Sequence, residues 1–434
     1  MNQTIRSRIE QIKRGEIPEG YEKTPFGIFP CDWEKDKSFK ELFSFFRGLG
    51  KSREELGTNG VCYLHYGDIH TGNFTKVSYA QYLDKPKYEI KINGEESFLM
   101  NDGDIAFLDA SEDLEGTSRA VLIDNPENRP FIAGLHTILA KEKQKVLSKN
   151  YKQYISMPQY VRKQFQRLAV GFKVYGLNRE TFNKVKISFP KSKSEQEKIA
   201  EILQEQDRLI ELKEKLIEEK KKQKQYLMDV LLTGKVRLPG FTDEWKDGLF
   251  GELIDDCNDG STPPRNIVKY FCGSINWIVT DDIKRYIYSS EEKLTEEAVA
   301  KTNLTIWQEG TLILSTCATI GVVGILKCKA TTKQGITAIS LKDKNCNEYI
   351  RYWLNLNTKL LNTYAQGSSI REIRVDKLRQ IKIRYPSNNE QIAIAEVLSK
   401  ADDELELLQK EIEEQKRKKR SLMQLLLTGL VRVG

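Results

Sequence analysis

Two segments of the chain each contain a series of positions spaced alternately by four and three residues, and apolar residues occupy many of these positions. In the first segment they are Ile199, Leu203, Ile210, Ile217, Leu227 and Leu231. In the second they are Ile394, Leu398, Leu405, Ile412, Leu422 and Leu426. This heptad spacing predicts two long helices that each bury one narrow stripe. Polar residues interrupt both stripes at the same place, at Lys220 and Lys224 in the first and at Gln415 and Lys419 in the second.

Both helices are predicted to end at a glycine. No Gly or Pro interrupts either segment before Thr233-Gly234 and Thr428-Gly429, and a glycine at such a point is a helix stop signal. A helix over 195–232 would be about 57 Å long at 1.5 Å per residue.

The two helical segments are copies of one sequence. Residues 195–238 align with residues 390–433 without a gap at a constant offset of 195, and roughly half of the aligned positions are identical. A strand-like run precedes each helix, VKISFP before the first and IKIRYP before the second. A weaker match continues upstream. Each half of the chain is therefore predicted to be a β-containing globular domain followed by one long helix.

A charged helix with one narrow apolar stripe needs a partner, and the nearest available stripe is that of its own copy. Because the copies share register and length, we expect an intramolecular pair, antiparallel if a pseudo-two-fold axis relates the halves. The alternatives are a helix that lies on its own domain and an intermolecular coiled coil. The basic runs KKKQK (220–224) and KRKKR (416–420) either face solvent or contact phosphates or a partner subunit.

The remaining sequence predicts two α+β domains. Both contain short β-branched runs separated by turn dipeptides, with helical stretches between them. The fold class is therefore α+β, with two domains separated by two long helices that form an antiparallel intramolecular coiled coil. The predicted boundaries are 1–190 for the N-terminal domain, 191–239 for the central helix, 240–386 for the second domain and 387–434 for the C-terminal helix.

Composition narrows the functional classes. The 434 residues exceed one ordinary core, and no apolar run is long enough to span a membrane. The polar N-terminal segment has no secretory apolar region, so the expected location is the cytoplasm. Seven cysteines without a C-x-x-C pair argue against a disulfide framework and a zinc ribbon. The net charge of +7 is compatible with a nucleic-acid partner without requiring one.

Signatures of catalysis are weak. The dinucleotide fingerprint G-x-G-x-x-G and the P-loop pattern are both absent. Four residues of one segment are conceivable metal ligands: Cys62, His65, Asp68 and His70. Their spacing matches no standard zinc module. Asp84 with Glu89 and Lys91 weakly resembles a nuclease triplet, a pattern that arises by chance in a chain with 30% charged residues.

Glycine-punctuated loops in both domains carry basic, hydroxyl and amide side chains. Arg and Lys contact phosphates or guanine edges, while Asn, Ser and Thr contact other base edges. Because such loops recur at matching places in both halves, they predict a DNA-binding surface. In the first domain its candidate residues are Lys51, Ser52, Arg53, Tyr66, His70, Thr71, Asn178 and Arg179. In the second they are Ser261, Thr262, Arg265, Thr280, Lys284, Thr316, Ser368, Ser369, Arg371 and Arg374.

Several motifs resemble those of a known family. The helix start E-Q-x-x-I-A-x-x-L, at 195–203 and 390–398, and the helix end L-L-T-G are similar to those of specificity subunits of type I restriction-modification systems. The phrases GSTPPRN (260–266), STCATIG (315–321) and YAQGSSIREI (364–373) resemble that family's target-recognition domains. The first domain lacks the G-x-T-P and A-T-I-G matches, so its DNA contacts are assigned by its place in the repeat.

The resemblance implies a non-catalytic subunit that recognises a bipartite, asymmetric site in double-stranded DNA, one half per target-recognition domain. The helix pair would set the spacing and, through the stripe residues above, serve the coiled coil and the docking of two methyltransferase subunits. Those partners would bind S-adenosylmethionine, and motor-nuclease subunits would join for cleavage. No cofactor or metal is expected on this chain, and it contains no N-P-P-[YF] or D-P-P-[YF] methylase motif.

Two other functions remain open on the sequence. One is a self-contained metal-dependent nuclease that uses Asp84, Glu89 and Lys91. The other is a coiled-coil scaffold that does not contact DNA.

Overall fold

The computed structural model describes residues 3–71, 75–92, 96–343, 346–367 and 371–433. Contacts divide the chain into two compact units, one comprising residues 1–213 and 411–434 and the other residues 214–410. Each unit therefore contains one globular domain, part of the first long helix and part of the second.

The first domain mixes short helices and strands. Its helices are α1 (Gln3–Lys13), α2 (Phe39–Leu42), α3 (Tyr66–Thr71), α4 (Lys149–Lys152), α5 (Gln159–Leu168) and α6 (Arg179–Lys184). Its strands are β1 (Tyr21–Thr24), β2 (Gly27–Pro30), β3 (Trp33–Ser38), β4 (Phe43–Arg47), β5 (Val61–Leu64), β6 (Lys76–Ser78), β7 (Lys87–Tyr88), β8 (Ile105–Leu108), β9 (Ala110–Ser111), β10 (Ala120–Asp124), β11 (Phe131–Ala133), β12 (Thr137–Glu142), β13 (Tyr175–Gly176) and β14 (Lys186–Pro190).

The main sheet of the first domain has the order β4-β12-β8-β10-β6, with parallel pairing only between β10 and β6. A three-stranded sheet has the order β11-β5-β7, with β11 parallel to β5. Three antiparallel strand pairs complete the first domain: β1 with β2, β14 with β3 and β13 with β9. Since β12 is antiparallel to both β4 and β8, the C-terminal ends of β4 and β8 and the start of β12 lie side by side. They form one edge of the main sheet, the edge that crosses the strand ends.

Phenylalanine rings pack the main sheet of the first domain against its helices. Phe107 of β8 contacts Phe39, Phe165 and Phe182, with ring centroids 6.0, 6.1 and 5.0 Å away. All four rings are fully buried. Phe165 lies on α5 beside buried Val161, a spacing of four that places both on one face of the helix. Each buried ring removes roughly 150–250 Å² from water, so this cluster is a main source of stability for the domain.

The second domain follows the first long helix, α7 (Lys193–Leu231). Its strands are β15 (Lys246–Leu249), β16 (Ile254–Asp259), β17 (Ile275–Ile278), β18 (Tyr286–Ile287), β19 (Lys293–Leu294), β20 (Leu312–Ser315), β21 (Val323–Leu326), β22 (Ala330–Thr332), β23 (Ile336–Leu341) and β24 (Lys382–Tyr385). Its helices are α8 (Glu296–Lys301), α9 (Asn347–Leu356), α10 (Thr358–Tyr364) and α11 (Val375–Arg379), and the second long helix, α12 (Asn388–Leu426), comes after them.

The second domain repeats the topology of the first. Its main sheet has the order β16-β23-β20-β21-β18, again with one parallel pair at the β18 edge. A three-stranded sheet has the order β19-β17-β22, and β15 pairs with β24 just before the long helix. Each strand of these sheets has its counterpart in the first domain, so the internal repeat predicted from the helices extends through the diverged domains.

The two long helices pair antiparallel within each unit. In the first unit the Gln206 amide donates to Gln415 Oε1 at 3.0 Å, and Lys213 Nζ lies 2.6 Å from Glu411 Oε2. In the second unit Lys220 Nζ lies 2.7 Å from Glu404 Oε1. The partner's residue number falls as the position on α7 rises, which only an antiparallel pair produces. The expected intramolecular antiparallel coiled coil is confirmed.

Both long helices end at the predicted glycines. Gly234 and Gly429 adopt φ angles of +70° and +71°. The amide two residues beyond each glycine bonds back into the last helical turn, Val236 N to Val230 O at 3.2 Å and Val431 N to Leu425 O at 3.0 Å. The chain thus leaves each helix through a residue in the left-handed conformation, which favours glycine.

An arginine beyond each helix binds a glutamate at the start of the other helix. In the second unit Arg237 Nε and Nη2 donate to Glu390 at 2.6 and 2.7 Å. In the first unit Arg432 binds Glu195 in the same way, and also Asp32. The glutamate side chains are 0% and 4% exposed, so each depends on its arginine for charge compensation.

The stripe residues are largely buried within their own chain. Ile199, Leu203 and Leu426 belong to the core of the first domain. Leu231, Ile394 and Leu398 belong to the core of the second. Ile210, Ile217, Leu405 and Ile412 are at most 9% exposed, and Leu227 and Leu422 are half-buried. The expectation that these positions also dock a partner needs correction, because buried side chains hold the pair and the domains together and leave little surface for another subunit.

The residues of the two basic runs differ in whether they form ion pairs with the opposite helix or with their own helix. Lys224 pairs with Asp402 across the helices, and Lys419 pairs with Asp207 in the same way. Lys221 and Lys222 instead point outwards and pair with glutamates one turn earlier on their own helix. Of the polar interruptions of the stripe, Lys220, Lys224 and Lys419 therefore form cross-helix ion pairs, and Gln415 forms a hydrogen bond with Gln206. Only part of each basic run is a solvated face. Among the described residues no helix is long and apolar enough to cross a membrane.

Candidate nucleic-acid interface

The candidate loops of the first domain converge at one edge of its main sheet. Gly48 N, just after β4, donates to Thr137 O at 3.0 Å, and Leu49 N donates to Ala133 O at 2.7 Å. Asp109 N, just after β8, donates to His136 O at 3.2 Å. These bonds bring the segments after β4, β8 and β11 together in one place.

The buried Tyr63 hydroxyl holds the segment that carries Lys51. The Tyr63 oxygen lies 2.7 Å from Leu49 O and 2.9 Å from Lys51 O, and its proton is donated to these carbonyls. The same oxygen accepts a hydrogen bond from Leu135 N at 2.6 Å. Burial raises the pKa of Tyr63, so the hydroxyl keeps its proton for these bonds. The position of the Lys51 backbone is thus fixed by the sheet beneath it.

Lys51 and Ser52 are engaged by a neighbouring carboxylate. Lys51 Nζ lies 2.8 Å from Glu55 Oε1, and Ser52 N donates to Glu55 Oε2 at 2.9 Å. The Glu55 hydrogen bond raises the pKa of Lys51. A DNA phosphate would have to compete with this exposed and weak pair. The side chains of Arg53 and Thr71 lie outside the described part of the structure.

Tyr66 contacts His136, which in turn contacts Asp109, and the sequence-based choice of contacts had left out both of these residues. The Tyr66 and His136 rings lie edge to face with centroids 5.3 Å apart, and His136 Nδ1 lies 3.1 Å from Asp109 Oδ1. Asp109 O in turn accepts from Leu177 N at 2.7 Å. This series of contacts places Tyr66, His136 and the segment before Asn178 on one surface. The sequence signal for these two residues was their position in the repeat, because Asp109 directly follows β8 and His136 directly precedes β12.

Three further candidates of the first domain differ in what they do. Asn178 Oδ1 accepts from Thr181 N at 2.9 Å, so this side chain caps α6. Arg179, the next residue, is exposed on the first turn of α6. The His70 carbonyl accepts from the Arg119 guanidinium, and the Nε2 atom of His70 is buried without a hydrogen-bond partner in the described structure. Of the three, Arg179 presents the most accessible donor.

The alternative catalytic groups do not assemble into a metal site in the described part of the chain. The Cys62 thiol is buried and donates to Tyr82 O, and His65 Nδ1 accepts from Gly67 N at 3.0 Å. The residues of the nuclease-like triplet, Asp84, Glu89 and Lys91, are all exposed. Among the described residues no three His, Cys, Asp or Glu side chains are placed to hold a metal ion.

The second domain forms the equivalent edge. Gly260 N and Ser261 N, just after β16, donate to Ile336 O at 3.1 Å and Thr332 O at 3.2 Å. Thr316 N, just after β20, donates to Gly335 O at 2.9 Å. Ser261 is half-buried, and its carbonyl accepts from the Trp277 indole at 3.2 Å. Ser261 and the half-buried Thr262 therefore lie in a loop fixed from below.

Thr316 was predicted to contact DNA, and the structure corrects this. Its side chain is 0% exposed, and its hydroxyl lies 3.0 Å from that of Thr337. Thr316 O also accepts from Ile373 N at 2.9 Å. The residue supports the loop from inside and does not present its hydroxyl to a base.

Two carboxylates also belong to this edge. Asp259, at the end of β16, has its pKa raised by burial and by the nearby charge of Glu372. Glu372 is paired through its backbone with Gln366 and Cys317. Neither residue was selected from the sequence. Carboxylates accept hydrogen bonds from the cytosine amino group, so both are compatible with a base-reading surface.

The Arg265 guanidinium lies close to two aromatic rings. Its guanidinium carbon lies 4.7 Å from the Phe271 ring centroid and 5.0 Å from that of Trp277, and its two terminal nitrogens contact Glu292. The two-point contact with Glu292 fixes the plane of the guanidinium, and the rings add cation–π contacts. The side chain remains exposed, so it presents an oriented donor group.

The remaining candidates of the second domain are scattered. Arg371 Nη2 donates to Asn362 O at 2.6 Å, so this guanidinium closes the end of α10 while staying exposed. Arg374 is exposed just before α11, and Thr280 is half-buried in a short turn. Lys284 lines a cleft of about 740 Å³ together with Lys221 and Glu406 of the long helices. Ser368 and Ser369 lie outside the described residues.

Comparison with known proteins identifies the family. Residues 31–221 and 242–417 both match the family model of the type I restriction modification DNA specificity domain. The chain belongs to this family. Specificity subunits of type I restriction-modification systems are non-catalytic, and the catalytic activities lie in other subunits.

Individual relatives agree with this assignment. The MjaIX specificity subunit of Methanocaldococcus jannaschii is 37% identical over 166 residues, which span 37% of this chain and 38% of that protein. The putative MjaX specificity subunit of the same organism is 25% identical over 431 residues, covering 96% and 97% of the two chains. The fold is similar to that of a type I restriction-modification S subunit from M. genitalium, with a TM-score of 0.55, 15% identity and coverage of 91% and 96%.

Proposed function

We propose that this specificity subunit recognises a bipartite, asymmetric site in double-stranded DNA. Each target-recognition domain contacts one half-site through the loops at the edge of its main sheet. The two domains share their sheet order and the backbone bonds of these loops, while their loop side chains differ. A common scaffold with different side chains is what two unequal half-sites require.

One pair of equivalent positions carries this argument. His136 and Gly335 both precede the strand that pairs with the end of β8 or β20, and both adopt a left-handed backbone with φ angles of +57° and +82°. Their carbonyls accept the same hydrogen bond, from Asp109 N and Thr316 N. The first domain places an imidazole at this turn, whereas the second places no side chain there. The same backbone therefore presents different hydrogen-bonding groups to the two half-sites.

The proposal includes docking of two methyltransferase subunits on the outer faces of the long helices. Leu212 and Leu407 are 53% and 59% exposed, and their numbers differ by 195, the offset of the repeat. Leucines of this exposure on otherwise charged helices are candidate contact points for a partner. Two equivalent positions fit two copies of one partner.

Cofactor and location follow from that partnership. S-adenosylmethionine would be bound by the methyltransferase subunits, and motor-nuclease subunits would join the complex for cleavage. DNA recognition and methylation would then take place in the cytoplasm of the host, where the genomic DNA is.

Methylome sequencing of a host that carries this chain with its methyltransferase tests the proposal. The expected result is adenine methylation at two short half-sites separated by a fixed spacer of unspecified sequence, lost when this chain is deleted. His136→Ala should relax recognition in one half-site and leave the other unchanged. Methylation at a contiguous site, or methylation that persists without this chain, would contradict the proposal.

A further inference from the structure

The segment 170–176, here called the 170–176 hairpin, exposes three apolar side chains. Val170, Phe172 and Val174 are 75%, 93% and 53% exposed. Phe172 is the most exposed large apolar side chain in the described part of the structure. A single exposed apolar residue is ordinary, but three at one tip form a contact surface that lacks its partner.

The hairpin is a built feature with a fixed base. Val170 N donates to Gly176 O at 3.1 Å, and Gly176 N donates to Val170 O at 2.7 Å. Gly171 has a φ of +138°, and a Cβ atom there would lie 1.9 Å from Val174 O, so the turn requires glycine. β13 at its base pairs with β9. The tip is therefore anchored to the sheet edge that carries Asp109 and His136.

The surroundings of the hairpin favour a polyanionic partner. Between positions 162 and 186 the sequence contains seven basic residues and one acidic residue, Glu180. The basic residues are Arg162, Lys163, Arg167, Lys173, Arg179, Lys184 and Lys186. Lys163, Arg167, Lys173 and Arg179 are exposed, and no ion pair to a described carboxylate neutralises them. An apolar tip within a field of free cations suits nucleic acid better than an apolar protein surface.

The second domain has the same closure at the same place. Gln366 and Glu372 exchange backbone hydrogen bonds of 2.8 and 2.9 Å, and Gly367 has a φ of +114°. In sequence its tip is Ser368-Ser369-Ile370, which lies outside the described residues, whereas the first domain has Phe172-Lys173-Val174. One tip is therefore mostly polar by composition, and the other is aromatic and basic.

We propose that Phe172 is a wedge that inserts between stacked base pairs in the half-site contacted by the first domain. The inference rests on the proposed function, to which it adds a mode of recognition. Apolar side chains that enter a base step unstack it partially and kink the duplex, and the cost depends on the step. Lys173 and the neighbouring cations would hold the flanking phosphates. Phe172 would then favour easily unstacked steps without forming a hydrogen bond to any base.

The test uses the complex of this chain with its methyltransferase subunits and duplexes that carry the mapped site. The fluorescent base 2-aminopurine, which brightens when unstacked, is moved through the first half-site one position at a time. The fluorescence should rise at the target adenine in every variant, because methyltransferases take their target base out of the stack. The wild-type complex should also raise it at one further step. Phe172→Ala should abolish this second rise and weaken binding about tenfold, the effect of losing roughly one stacked contact. Phe172→Leu should retain part of both effects.

Matched controls separate this proposal from the proposed function. Val268→Ala, which removes a 71% exposed apolar side chain of the second domain, should leave the fluorescence at this step unchanged. Specific binding without a rise at any position other than the target adenine would overturn the wedge and leave the proposed function standing. Failure to bind any duplex would overturn both. If Phe172→Ala instead prevents assembly with the methyltransferase in the absence of DNA, the hairpin is a protein contact and the wedge is wrong.

Discussion

Lys224 of α7 and Asp402 of α12 form an ion pair inside the second unit, at a stripe position where an apolar residue would be expected. Asp402 also accepts from the Tyr352 hydroxyl at 2.6 Å. In the first unit Lys419 pairs with Asp207, which accepts from the Tyr154 hydroxyl at 2.8 Å. One carboxylate thus links a recognition domain to both long helices. The repeated Tyr–Asp–Lys cluster fixes the register of the helices and attaches each domain to them.

Replacing Asp402 by Ala should destabilise the second unit by about 3 kcal/mol, because it leaves partly buried cations without a counter-charge. The Lys224 and Asp402 side chains are only 23% and 15% exposed. The matched control is Glu404→Ala, which removes the more exposed partner of Lys220 on the same helix and should cost about 1 kcal/mol at most. Chemical denaturation measures both. Equal effects of the two substitutions would show that the cluster adds nothing beyond a surface pair.

The buried Asp104 predicts a pH dependence of stability. Burial raises the pKa of Asp104 to about 6, although its carboxylate accepts from Asn101 N at 2.8 Å. A carboxyl group with a raised folded pKa costs no stability below its unfolded pKa of about 4, and the cost develops as the pH rises to about 6. Asp104→Asn should therefore stabilise the first unit by about 2 kcal/mol at pH 7.5 and by almost nothing at pH 4.

Chemical denaturation of both proteins at several pH values between 4 and 8 measures this difference. Asp102→Asn is the control. Asp102 forms an ion pair with the Lys149 ammonium at 2.7 Å, so this substitution should lower the stability of the first unit. A pH-independent effect of Asp104→Asn would mean that the pKa of Asp104 is the same in the folded and unfolded protein, and would contradict this prediction.

Much of the architecture could be predicted from the sequence because it depends on local signals. The stripe spacing of Ile199 and Leu203, the stop glycine Gly234 and the offset of 195 determine the helices, their ends and their pairing. The sheet order could not be predicted, since pairing such as that of β4 with β12 joins segments almost a hundred residues apart. The half-buried Lys224 also could not be assigned, because a basic run has the same local pattern whether it faces solvent or a carboxylate of the neighbouring helix.

The interface was predicted less well for a related reason. Residue type indicates what a side chain could bind, whereas accessibility depends on the tertiary structure. Thr316 and Arg265 both lie in recognisable phrases of the second domain, yet Thr316 is fully buried and Arg265 is exposed beside two aromatic rings. His136 was missed because its relation to Tyr66 arises from the convergence of two loops separated by seventy positions in the chain.

Arg265 should be a specificity residue of the second half-site. Arg265→Lys keeps the charge and removes the planar group that lies close to Phe271 and Trp277 and binds Glu292. Since lysine provides a point charge in place of an oriented fork, we expect about tenfold weaker binding to the intact site. Competition with duplexes mutated in one half at a time measures the effect. Discrimination in the first half should be unchanged, and an equal loss of discrimination in both halves would contradict the assignment.

A longer helix should change the spacer and preserve the half-sites. α7 is continuous from Lys193 to Leu231, and the pairs of Lys213 with Glu411 and Lys220 with Glu404 follow each other in its C-terminal half. Four helical residues inserted between Lys213 and Lys220 add about 6 Å and little more than one turn, so the apolar stripe is nearly kept. At about 3.4 Å per base pair, the spacer should grow by one or two base pairs.

Methylome sequencing measures the spacer length. The control is an insertion of four residues after Gly240, in a turn outside both helices, which should leave the spacer unaltered. An unchanged spacer in the helix variant, or altered half-site sequences, would show that the helices do not set the distance between the two recognition events.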